Sequence, residues 1–192
     1  MKKPPRQQVV AAAAPMPEAP LLQTERLTLR AMRPEDLSVL QELWCDTVVY
    51  KFITGRASLP EETWSAILRH AGQWQLLGYG YWVAVEKASG ATIGQMGYGD
   101  FKRAITPSLQ GKPELGWALF PAHHNKGYGL ESTTAIQAWG DQNLAADFTS
   151  CIIAPENLAS LKLAGKLGFR LVTATIYNDN GTLVYERQRL AT

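Results

Sequence analysis

No segment of this chain stays apolar for the length that a membrane-spanning helix needs. The apolar stretch nearest the start, Val9 to Ala14, is short and is followed by Pro15 and Pro17, which argues against a secretory leader. Cysteine is scarce. Cys151 lies in the apolar run Phe148 to Ile153, and it and Cys45 are both expected as reduced core thiols, which gives a cytoplasmic location. Charge of one sign is also lacking: a net +2 is too small to argue for a nucleic-acid partner or an anionic membrane surface. The phosphate-binding pattern GxxxxGK(S/T) is missing, as is the dinucleotide pattern GxGxxG, and Gly97-Tyr98-Gly99 opens no helix. The histidines are His70 and the adjacent His123 and His124. Neighbouring histidines share a metal poorly, and no cysteine or carboxylate cluster joins them, so no metal is expected. There is no internal repeat.

What is present fits one soluble globular domain: 192 residues, enough for a sizeable core, with 46% hydrophobic and 19% charged residues. Residues 1–20 are rich in proline and alanine without a packing pattern and read as a flexible tail; residues 21–192 read as the domain. Arg26 to Arg30 alternates as a half-buried strand does. Pro34-Glu35-Asp36 opens a helix with Leu37, Leu40, Leu43 and Trp44 on its inner face. A second helix is expected from Ser58, with Ser58 and Glu61 as a capping box and Trp64, Ile67, Leu68, Ala71 and Trp74 as its stripe. Strands follow over 79–86, 92–100 and 114–120, then a helix over 127–143, a strand over 148–153, and a helix over 157–167 ended by Gly168. A terminal hairpin turns at Asn178-Asp179-Asn180-Gly181. The order is β-α-α-β-β-β-α-β-α-β-β.

The stretch from Glu114 to Glu131 carries the most chemistry. It reads as a strand, a short loop, Gly127 and Gly129, and the start of a helix. Glycines let backbone approach an anion, and a first helical turn offers unpaired N–H groups at the positive end of the dipole. A second motif lies downstream, Asn157-Leu158-Ala159-Ser160 followed by Lys166-Leu167-Gly168-Phe169.

With the opening Thr24 to Arg30 and Pro34 to Leu37, these motifs resemble the GNAT acetyltransferase superfamily, in particular its RimJ/RimL-like branch, over about Leu22 to Leu190. The resemblance implies an α/β (α+β) single domain with a mixed, mostly antiparallel sheet of six to seven strands and about four helices. It implies acetyl-CoA as co-substrate. The family's phosphate motif falls on His124-Asn125-Lys126-Gly127-Tyr128-Gly129, where His124 departs from the usual first residue. The pyrophosphate would meet backbone N–H groups of Asn125, Gly127, Gly129 and Leu130, and the pantetheine arm would run beside Leu119 and Phe120, where family strands splay. Asn157 would cap its helix and touch the pantetheine.

The resemblance further implies that Glu114, thirteen residues before Gly127, takes the proton of the attacking amine. A solvated strand-end carboxylate is the equally simple alternative, and Asp100 is the spare candidate. The position of the family's acidic tyrosine falls on Ala164, which leaves Ser160 as the hydroxyl nearest the leaving sulfur; Ser160 as a helix-surface hydroxyl is the other reading. Tyr50 and Phe52 are expected to line the acceptor pocket. The acceptor would be a primary amine, either a small molecule or a peptide, and a homodimer is the common default. Two other functions fit the same motifs: a non-catalytic acyl-CoA-binding or regulatory domain, and an interaction module that uses Met1 to Pro20.

Overall fold

In the computed structural model, which describes residues 18–190, the chain runs β1 (Leu22–Gln23), β2 (Leu27–Arg30), α1 (Leu37–Cys45), α2 (Thr47–Tyr50), α3 (Pro60–Leu77), β3 (Tyr81–Glu86), β4 (Thr92–Gly99), β5 (Glu114–Leu119), α4 (Tyr128–Asn143), β6 (Phe148–Ile153), α5 (Leu158–Lys166), β7 (Arg170–Tyr177) and β8 (Asn180–Gln188). The expected order holds, with two short additions. β1 is a two-residue strand paired to β2, and α2 is a single turn capped by Asp46, whose carboxylate accepts from the Val48 N–H. All strands join one sheet in the order β1-β2-β3-β4-β5-β6-β8-β7, antiparallel except for β5 with β6.

Period-two alternation sends neighbouring residues of the central strands to opposite faces. Val83 and Ala118 pack with Leu40, Leu43, Val49 and Ile67 from α1 to α3. Trp82, Ala84, Leu115 and Leu119 join the larger cluster with Ile136 of α4 and Ala164 of α5. Trp74, Trp82 and Trp139 meet edge to face, with centroids 4.6 to 5.3 Å apart. The docked chain reaches back to Ala19, which packs on this cluster, and to the Pro20 carbonyl, which accepts from Trp82 Nε1 at 2.7 Å. The rest of the expected tail lies outside the described residues.

Three local expectations are corrected. Cys45 is exposed, because it ends α1 on the solvent face that it shares with Gln41; Cys151 is buried. In α3 the helix begins at Pro60, so Leu59 is the cap residue, and Glu62 rather than Glu61 reaches back to the Leu59 N–H at 2.8 Å. The buried stripe of α3 is Thr63, Ile67, His70, Gln73 and Trp74, and Leu68 turns to solvent at 53% exposure. Among the described residues no helix is long and apolar enough to cross a membrane.

Candidate active site

β5 and β6 share a single register pair, Glu114 with Ser150, supported by the Ser150 N–H on the Pro113 carbonyl at 3.0 Å, and then diverge. A cleft of about 1140 Å³ opens along the divergence. Its walls come from α3, from β5, from the segment after β4, from the end of β6 with the start of α5, and from the β7–β8 turn. Backbone polar groups alternate between the two edges of a strand. The Phe120 N–H donates to Ile93 on β4 at 2.9 Å, so Trp117 and Leu119 are the residues that present backbone to the opening. Phe120 is thereby committed to β4 rather than to an arm lying in the cleft. The Leu119 carbonyl already accepts from the His124 ring, Nε2 to oxygen 2.8 Å, which places His124 against β5.

The loop between β5 and α4 is where the sequence reading puts a phosphate cradle. Asn125 and Gly127 both take left-handed backbone, with φ of 57° and 85°, and Gly127 is the residue at which α4 starts. The first bond of the helix runs from the Glu131 N–H to the Gly127 carbonyl at 3.0 Å. Among the described residues, the N–H groups from Asn125 to Leu130 have no protein acceptor, which is the donor set an anion needs. Lys126 and Leu130 lie within this run, and Gly129 packs between Leu119 and Leu163. The cradle is braced from the far end of the sequence. Arg26 donates to the Lys126 carbonyl at 2.9 Å, pairs with Glu131 at 2.7 Å and stacks on Tyr128 at 4.3 Å. The Tyr128 hydroxyl in turn donates to Glu86.

The cleft wall around the start of β5 is charged. Glu114 is buried, and each of its oxygens accepts from Arg103, Nε to Oε2 and Nη2 to Oε1, both at 2.7 Å. Burial works against the charge on Arg103, but the hydrogen bonds and negative charge of Glu114, with help from Tyr177, outweigh it and hold the guanidinium above its usual range. Asp100 pairs with Lys102 at 2.6 Å; burial raises its carboxyl, and the Lys102 bonds and charge bring it below the ordinary value. Tyr81 is buried, and its phenol is pushed up by burial and then by Glu114. Its hydroxyl lies so close over Gly116 that a Cβ there would be 2.0 Å away. His70 stacks on Tyr81 with centroids 4.1 Å apart, and burial, then Arg69, push its imidazole down to about 3.

Asn157 caps α5, its side-chain oxygen accepting from the Ser160 N–H at 3.2 Å. Ser160 Oγ accepts from Trp117 Nε1 at 3.1 Å, a bond that ties β5 to α5 across the opening. Both residues line the cleft, as do Glu114, Asp100 and Phe52. Tyr50 does not; its hydroxyl is engaged by Thr47 within α2. Ala164 is fully buried in the core, so its place in α5 offers no group to the cleft.

Arg103, Arg69, Trp117 and the Arg26–Glu131 brace were missed in the sequence. Arg103 lies in a segment without regular structure, where no periodicity marks the direction of a side chain. Trp117 could have been found, since it alternates with Ala118 inside the motif. Arg26 and Glu131 are each in a quoted motif, but nothing short of the sheet order brings them together. The arrangement supplies an anion cradle, a strand edge leading from it into a cleft, and carboxylates on the cleft wall. Glycine cradle and open edge suit a pyrophosphate followed by an extended arm. Among the described residues no group of three or more His, Cys, Asp or Glu side chains is placed to hold a metal ion.

The family model described as an acetyltransferase (GNAT) domain matches residues 26–170. The protein named uncharacterized N-acetyltransferase p20 of Bacillus licheniformis is 27% identical over 150 residues, covering 78% of this chain and 82% of that one. The crystal structure of an acetyltransferase from Agrobacterium tumefaciens strain C58 is 26% identical, with a TM-score of 0.76 over 95% of this chain and 99% of that one. RimL, the ribosomal L7/L12 alpha-N-protein acetyltransferase solved with coenzyme A, shares the fold at 15% identity and a TM-score of 0.70, over 88% of this chain and 98% of that one.

Proposed function

Because the chain belongs to the GNAT acetyltransferase family, we propose that it moves an acetyl group from acetyl-CoA to a primary amine, on a small molecule or a protein N-terminus, by direct attack within a ternary complex. The observation that carries this reading is the run of unpartnered N–H groups from Asn125 to Leu130 beside β5, where Gly129 packs on Leu119 and the strand parts from β6. The cradle would hold the pyrophosphate, and the backbone of Trp117 and Leu119 would hold the arm as an added strand. Bound there, acetyl-CoA supplies an activated thioester, whose C–S bond breaks as the N–C bond of the product forms.

Glu114 is the proton acceptor of this reading. A carboxylate has about four lone-pair sites, and Arg103 takes one on each oxygen, so each oxygen keeps a site for the amine proton or for a water that carries it. Arg103 orients that carboxylate. Ser160 stands beside the open edge as a hydrogen-bond donor to the departing sulfur, its oxygen held by Trp117. The Asn157-x-x-Ser160 and Lys166-x-Gly168-Phe169 motifs favour the RimJ/RimL-like branch, and the scarcity of cysteine favours a cytoplasmic enzyme.

One observation favours a second reading, in which the domain binds acyl-CoA without catalysis: both oxygens of Glu114 are engaged in an ion pair. Release of free CoA thiol from acetyl-CoA, measured across a panel of primary amines, separates the two. Amine-dependent release supports transfer. Tight CoA binding without release from any amine overturns it in favour of the binding domain.

A further inference from the structure

Among the cationic side chains of the cleft, Arg56 is paired with Glu62, Lys102 with Asp100, and Arg103 with Glu114, while Lys51 lies over the Phe52 ring, its Nζ 4.7 Å from the centroid. Arg69 lines the same cleft and has no ion pair and no hydrogen bond to a group among the described residues. Residues 1–17 and 191–192 contain no aspartate or glutamate side chain that could serve it. Its five N–H donors form a planar fork suited to a carboxylate.

The place of Arg69 is set by its neighbours. Its guanidinium lies 5.7 Å from the Phe101 ring, and the Arg103 guanidinium lies 4.8 Å from the same ring. The next residue of α3, His70, stacks on Tyr81, and the Tyr81 hydroxyl reaches Gly116 on β5. Gly116 is two residues beyond the Glu114–Ser150 pair, where the strands part. Arg69 therefore stands near the point at which β5 opens, on the side of the cleft away from the cradle. Arg69 is exposed on the cleft wall; desolvation by the surrounding protein and the like charge of Arg103 push its guanidinium below the usual range, and a bound anion would act the other way.

Taking the acetyltransferase reading above as its basis, we infer that Arg69 receives a carboxylate of the acceptor, so that the acceptor is an amino acid or another small primary amine with a carboxylate close to the amine. Arg103 is neutralised by Glu114 and Lys102 by Asp100; of the two cleft cations without an ion pair among the described residues, Lys51 lies over Phe52 after α2, whereas Arg69 shares the Phe101 ring with Arg103, so Arg69 is the one placed beside the Arg103–Glu114 pair to balance a negative charge. A dianionic phosphate would face Glu114 and Asp100 without that balance. A peptide N-terminus offers a neutral amide at this place and leaves the fork empty.

The test is calorimetric titration of the CoA-saturated protein with the N-acetyl derivatives of glycine, leucine, phenylalanine and glutamate, each beside its α-carboxamide. At least one carboxylate should bind about tenfold to a hundredfold more tightly than its carboxamide, the worth of a hydrogen bond to a charged group. In Arg69→Gln that ratio should collapse towards one, and in Arg69→Lys it should keep an intermediate value, with CoA affinity reporting that each variant is folded. Absence of any carboxylate preference in the unaltered protein overturns the inference, whether or not the variants fold. So does a preference that survives Arg69→Gln. Carboxylate-selective binding in a protein that releases no CoA from any amine would sink the transfer reading and leave the anion subsite standing.

Discussion

Glu114→Gln removes a proton acceptor and also half of the Arg103 ion pair, so its expected effects divide. Turnover should fall about 100-fold or more, the usual worth of a positioned base, while CoA affinity changes little, since the cradle, Asn125 to Leu130, is not among the residues that line the cleft around Glu114. Steady-state rates beside calorimetry with CoA check this; near-full turnover would make Glu114 a structural partner of Arg103. Ser160→Ala should cost about tenfold in turnover, the scale of one hydrogen bond. A loss of several orders of magnitude with CoA binding intact would make that hydroxyl an essential acid. His70 offers a prediction in pH. A histidine of ordinary pKa 6.5 is held here at about 3, so between those values the unfolded chain carries a proton that the folded chain refuses. Its contribution is complete above pH 6.5 and is lost as pH falls, by up to about 1.4 kcal/mol per unit, until it levels off near pH 3. Urea unfolding at pH 7, 6 and 5 should therefore show a shallower loss in His70→Phe than in the unaltered protein, and equal slopes would refute it.

At the scale of the element, the start of α4 is the part most exposed to a single substitution. Gly127 has φ of 85°, a backbone that a β-branched residue does not adopt, and it is flanked by the donors of the cradle. Gly127→Val should abolish measurable CoA binding by equilibrium dialysis while leaving most of the sheet intact; unchanged affinity would show that the anion binds elsewhere. This turn was legible in the sequence because two glycines between a strand and a helix carry their own conformational meaning. The same holds for the hairpin, where Asn178 and Asp179 both take positive φ, and for the stop at Gly168. Helix faces were less legible. In α3 the polar His70 and Gln73 are buried because Tyr81 and the Asp100 carbonyl meet them, and no apolar count can anticipate such partners. The ion pairs of the cleft were illegible for a related reason: Arg103 reaches Glu114 from irregular backbone, and that segment's path is set by the whole fold.

For the whole molecule, ligand and fold are linked. If CoA binds the folded chain alone, a concentration of 100 times its dissociation constant adds about 2.7 kcal/mol, which for a domain of this size raises the melting temperature by about 5–10 °C. Differential scanning calorimetry with and without CoA reads the shift directly, and the Gly127→Val protein should show none. A shift of the same size in that variant would detach the stabilisation from the cradle.

The order β6-β8-β7 places the last strand of the described residues inside the sheet rather than at its rim. β8 contacts β6 along six paired residues, from Phe148–Gln188 to Ile153–Leu183, and also forms the hairpin with β7. While the ribosome is still adding residues before 188, β6 exposes a ladder of unpaired amides and β7 has no neighbour at all. A chain that stops before residue 180 would thus carry its cradle and most of its core but a raw strand edge, the kind of surface that joins to other chains. β8 is the seam on this side of the sheet, and until it is in place the edge of β6 stays open to other strands.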